Sequence, residues 1–193
     1  MKKKVDYKNI WARTKAMLLS PRREWPAAHK EDIPGKRLFQ EYLLPLAATG
    51  TACVAILLLI RGNGWTAVSM AAINLISVLA GWFVTYRLTR EYLDGKLGNA
   101  RQTALYLATY GYGVYIVFHC LSDGFSGHFL GQVMEVASFL CVHTLYVGLE
   151  TLPELNAKHR NNVLIMTAVL MLVIPAIAER LLTIVFRIPT LYA

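Results

Sequence analysis

The residues able to do chemistry in this 193-residue chain are scattered singly through long apolar runs. Asn74, Gln132, Glu135, His143 and the pair Glu179–Arg180 each stand among aliphatic and aromatic neighbours. A polar or ionisable group inside a hydrocarbon layer is costly, so each is a candidate functional group. At about 1.5 Å of rise per residue, Glu135 lies about 11 Å inside its run. Asn74 lies about as deep, and Arg180 is somewhat shallower and long enough to extend toward them. These positions predict a polar layer of Asn74, Gln132, Glu135 and Arg180. It serves either as an ion pair that fixes helix register or as a proton or ion site.

Other candidates are weaker. His119 and His128 flank one short turn, Ser122–Gly127, and can approach each other, but two imidazoles without a third ligand at matched depth make a poor metal site. No metal is expected. Tyr106, Tyr110, Tyr112 and Tyr115 suit interhelical hydrogen bonding rather than a cofactor box, and no cofactor is expected. His143 suits a packed or hydrogen-bonded imidazole. Cys53, Cys120 and Cys141 lie inside apolar runs, without a CxxC or His-spaced pattern, and suit buried small hydrophobes. There is no HExxH, GxSxG or Walker-type loop, so no enzymatic activity is expected.

The elements that must position these groups are membrane spans. The chain is 55% hydrophobic and 17% charged, with mean hydropathy +0.41. Soluble domains carry about 25% charged residues. Apolar runs at about 42–60, 65–86, 103–121, 128–149 and 163–186 are each long enough to cross a bilayer. They predict an all-α integral membrane bundle of five transmembrane helices, residues 41–193, with no room for a second folded domain. Pro45 falls in the first turns of its span, where a missing donor costs least. Ala48, Ala52 and Gly50, and likewise Ser77 and Gly81, are small enough for helices to approach closely.

A net charge of +8 raises nucleic acid as a partner. The distribution excludes it, because the basic residues gather beside apolar spans instead of covering a folded surface. All Lys and Arg except Arg61, Arg180 and Arg187 fall in the amino-terminal segment, the 87–102 loop or the 150–162 loop. Cationic flanks mark the cytoplasmic side, which puts the amino terminus in the cytoplasm and the carboxyl terminus outside. Residues 1–40 form a cytoplasmic unit of their own. Some forty largely polar residues ahead of the first span do not read as a cleaved signal peptide. Tyr7, Ile10, Trp11, Met17 and Leu18 share one face of a basic amphipathic helix over residues 5–19. That helix is expected in the membrane interface or against the cytoplasmic ends of the bundle. Pro21 ends it, and Trp25-Pro26 and Ile33-Pro34-Gly35 make an elbow. Trp11, Arg13, Lys15, Arg22, Arg23 and Trp25 are the expected contact surface for anionic lipid headgroups or a protein partner.

The segment Met17-Leu18-Leu19-Ser20-Pro21-Arg22-Arg23-Glu24-Trp25-Pro26, followed by a span opening Tyr42-Leu43-Leu44-Pro45-Leu46-Ala47-Ala48, resembles the bacterial form of the Yip-one (Ypt-interacting-protein) domain family. Looser likenesses follow at Asp94–Gly98, at Ala108-Thr109-Tyr110-Gly111-Tyr112 and at Leu145–Leu149. The family often places a proline soon after the tyrosine pair, where this chain has Gly113 and Val114. The resemblance implies five spans with a cytoplasmic amino terminus in a bacterial cytoplasmic (inner) membrane. Eukaryotic relatives bind small GTPases and act in vesicle traffic. The leading expectation is a non-enzymatic adaptor or membrane-organising protein that contacts lipid or protein through its basic amino-terminal segment. The alternative is a small ion or solute transporter or channel using the Glu135–Arg180 layer, alone or as a homo-oligomer. An intramembrane enzyme is the third.

Overall fold

The computed structural model of the chain describes residues 7–31, 33–61, 64–151 and 155–188. Lys2, Lys3 and Lys4, the Gly62-Asn63 turn and Pro153 lie outside the described residues. Among those described, the regular elements are all helical. Two short helices come first, α1 (Tyr7–Leu19) and α2 (Pro21–Lys30). Five helices long and apolar enough to cross a membrane follow. They are α3 (Gly35–Ile60), α4 (Gly64–Leu93), α5 (Ala100–Gly124), the broken span α6 (Phe129–Ser138) with α7 (Leu140–Glu150), and α8 (Ala157–Val185). This is a multi-pass membrane protein. Its two ends differ. The distal end carries the turns after α3 and α5, and the basic end carries α2 and the loop after α4.

Local sequence explains the irregular places. Pro45 has no N–H to donate, and the turn before it, Phe39–Leu43, widens to a π helix in which Leu44 N–H reaches Phe39 O. Pro175 sits inside α8, where Gly81 of α4 leaves room for its ring. The close approach of α3 to α5 is made at Gly50, where a Cβ would fall 2.7 Å from Cys120 Sγ. Ala48 and Ala52, which the sequence offered for that contact, are exposed instead.

Helix α5 is the centre of the bundle: 83% of its apolar stretch is buried, against 22–44% for the other spans. Its tyrosines tie the neighbours to it. Tyr112 OH lies 3.4 Å from Thr85 Oγ1 of α4 and 3.4 Å from Met171 O of α8, and Trp82 Nε1 donates to Thr109 Oγ1 at 3.2 Å. With lipid outside the bundle no weaker a solvent than the core, such polar ties and close packing hold the spans together.

Helices α1 and α2 are part of that core. Ile33 N–H donates to Tyr106 OH, and Trp25 meets Tyr110 edge-on. Thr14 Oγ1 pairs with Tyr42 OH at 3.0 Å, and Trp11, Leu18 and Leu19 lie near Val114, Val117 and Phe118. The segment thus follows α5 from its basic end to beyond its midpoint. The separate unit expected for residues 1–40 is, over its described part, a wedge in the bundle.

Candidate functional site

At the distal end of α5, His119 and Asp123 are four residues apart and therefore share a helix face. Expected span limits ended at about Leu121 and left Asp123 in a turn, but the helix runs to Gly124. Opposite them, α8 presents Glu179, seven residues before Phe186 and so about 10 Å inside the distal end of that helix. His119 Nε2 stands 3.7 Å from Asp123 Oδ2 and 3.6 Å from Glu179 Oε2. One ligand atom from each of the three residues lies within 4.8 Å of the others.

Neighbouring side chains fix this arrangement. Asn74 of α4, 1% exposed, donates from Nδ2 to Asp123 Oδ2 at 2.5 Å. Its Oδ1 accepts from Thr51 Oγ1 at 3.3 Å and lies 3.5 Å from Cys120 Sγ. The His119 ring stacks on Tyr115 with centroids 4.8 Å apart. His119 is 4% exposed, and neither of its ring nitrogens has a hydrogen-bond partner among the described residues. A buried imidazole with no partner is unusual, because the lost hydration is normally recovered by a hydrogen bond.

The cluster faces a cavity of about 490 Å³ whose lining also includes Gln132, Glu135, Arg180 and His128. A second cavity, about 430 Å³, shares Glu135 and Arg180 and is lined by Ser138 and Phe139. There the fourth span breaks. Phe139 N–H bonds Val136 O and Val142 N–H bonds Phe139 O, both three residues back, and Ser138 Oγ donates to Glu135 O at 2.6 Å.

The expected polar layer is only partly assembled. Gln132, Glu135 and Arg180 line one cavity, whereas Asn74 is turned to Asp123 on α5. Asp123 and Glu179 line that cavity together with Gln132, Glu135 and Arg180, so the polar layer is larger than the sequence indicates. The available signal was the i,i+4 spacing of His119 and Asp123, hidden because Asp123 was read as a turn residue. His128 lines the same cavity as His119, so both imidazoles face one space.

The expected contact surface divides as well. Trp25 is fully buried, not lipid-facing. Its indole packs on Gly148, and Nε1 donates to Thr144 O at 2.9 Å. Arg13 binds Glu24 at 2.6 Å and Glu31 as well, joining α1 to the end of α2. Burial alone would ease the proton off this guanidinium, but the two carboxylates outweigh it and hold it above its ordinary value. Trp11 (58% exposed), Lys15, Arg22 and Arg23 remain on the surface. No protein-family profile, no curated protein and no solved structure matches the chain.

Proposed function

We propose that the protein is a non-enzymatic, multi-pass protein of the bacterial cytoplasmic membrane that handles a small cation in its distal half. The observation that carries this reading is the convergence of His119, Asp123 and Glu179 on a cavity within the depth of the spans. Two carboxyl groups and an imidazole placed so close in a low-dielectric layer call for a proton or a cation between them. Reconstitution into liposomes loaded with a pH- or cation-sensitive dye tests the reading. A flux that Glu179→Gln abolishes supports it, and equal leak with and without protein defeats it.

A second reading, the adaptor, is favoured by a different observation. Arg22, Arg23, Lys36 and Arg37 are all exposed at the basic end, where anionic headgroups would gain roughly 1 kcal/mol from each. Deleting the amino-terminal segment would unseat Trp25 from the bundle, so charge removal is the cleaner test. Arg22→Gln, Arg23→Gln, Lys36→Gln and Arg37→Gln together should release any partner recovered from native membranes, while the melting temperature stays unchanged. Retention of every partner would leave the adaptor without its surface.

A further inference from the structure

The geometry points to a divalent transition-metal site formed by His119 Nε2, an Asp123 oxygen and a Glu179 oxygen, with Glu135 lining the same cavity as the nearest further carboxylate. It rests on the cation-handling reading and narrows the cation to a class.

Spacing is the first support. A direct N–H···O bond would bring the imidazole to about 2.9 Å from its acceptor, and a bridging water would hold the two about 4.5 Å apart. The 3.6 and 3.7 Å separations match neither. Ligand bonds of about 2.1 Å meeting at a tetrahedral angle place ligand atoms about 3.4 Å apart, close to the two imidazole–carboxylate separations, and all three ligand atoms lie within 4.8 Å of one another, a spread that an ion would draw in. The burial of the His119 ring, 4% exposed with neither nitrogen hydrogen-bonded among the described residues, is the second support. Its Nε2 is aimed at both carboxylates without bonding either, which is the posture of a ligand. A third comes from around the ligands: Asn74 grips Asp123 Oδ2 and stacking on Tyr115 fixes the imidazole plane. Outer partners of this kind orient the ligands of metal centres. The donor set then selects the ion. One imidazole with carboxylates suits Zn²⁺, Mn²⁺ or Fe²⁺, whereas Ca²⁺ requires six to eight oxygens and Mg²⁺ is held mainly by oxygen and water.

The test uses the full chain, purified in mild detergent through a histidine-free tag, stripped with chelator and titrated with Zn²⁺. About one equivalent should survive desalting, and excess Mg²⁺ or Ca²⁺ should not displace it. His119→Gln and Glu179→Gln should each abolish retention, and Asn74→Ala should weaken binding about tenfold to a hundredfold through the freed Asp123 carboxylate. The unmodified chain also provides a readout that no substitution can confound, since Co²⁺ bound to mixed nitrogen and oxygen ligands absorbs differently from Co²⁺ in an all-oxygen shell. Zn²⁺ lost from both ligand variants, or a nitrogen-containing Co²⁺ spectrum where a variant fails to fold, supports the site. No retained metal, retention unchanged in both folded variants, or an all-oxygen spectrum overturns it. A chain that holds no metal yet carries protons into liposomes loses this inference and keeps the broader cation reading.

Discussion

Trp25 shows how much one side chain does in this bundle. Its indole is sealed between Tyr110 and Gly148, and its N–H satisfies a carbonyl of the fourth span. Trp25→Ala is expected to cost about 3–5 kcal/mol, seen as a large drop in melting temperature in detergent. Gly148→Val should do similar damage from the other side, since a Cβ there falls 2.5 Å from the indole. Trp11→Ala, on the exposed face, should stay within about 0.5 kcal/mol. His29, packed between Trp25 and Tyr106, adds a pH dependence. Burial pushes its imidazole below the ordinary value of 6.5, so the unfolded chain takes up the proton first. The stability it supports is complete above about pH 6.5 and falls as pH drops through the lowered folded value. Protease resistance of the segment should fall over that window, and His29→Phe should flatten the profile. The segment around Trp25 was legible as special from its residues. Its role was not, because a tryptophan beside arginines reads equally as an interfacial anchor and as a core wedge.

The five long elements were legible because hydrophobic length is set by the bilayer and leaves a continuous trace in the chain, but three helices run six or seven residues past their apolar runs, starting at Gly35 and Ala157 and ending at Leu93. What failed to show was how elements combine. The break between α6 and α7 falls at Phe139, where neither proline nor glycine announces it. Asp123 and Glu179 lie far apart in the chain, and only the packing of α8 beside α4 and α5 brings them together. The α1–α2 hairpin is similar: its lock joins Arg13 to Glu24 and Glu31 across the Ser20 corner. Arg13→Met should loosen that corner by about 1–2 kcal/mol, with the Glu31 half discounted because that carboxylate is partly solvated. Trypsin cleavage after Arg22 and Arg23 should quicken in the variant while the spans stay intact, a pattern that mass spectrometry of the fragments resolves. Cleavage at the unmodified rate would show that packing of Met17, Trp25 and Ala28 holds the hairpin without the ion pairs.

At the scale of the whole molecule the charge asymmetry of the sequence becomes a difference between two ends. Arg87, Lys96, Arg101 and Lys158 are exposed at the basic end together with the arginines of α2. At the distal end Arg61 is committed to Ser126 O at 2.7 Å, which closes the turn beside the acidic cavity. From the rule that cationic flanks stay inside, we predict that the cavity faces outward. A cysteine placed at His128, in a chain whose exposed Cys53 is replaced by alanine, should react in intact cells with a membrane-impermeant maleimide. A cysteine at Lys96 should react only after the membrane is opened. The outcome decides where the cation comes from. With the cavity outward, the proposed site samples the extracytoplasmic medium. The reverse labelling pattern would make the cytoplasm the source and would place the basic rim against the outer leaflet, where there is less anionic lipid to hold it.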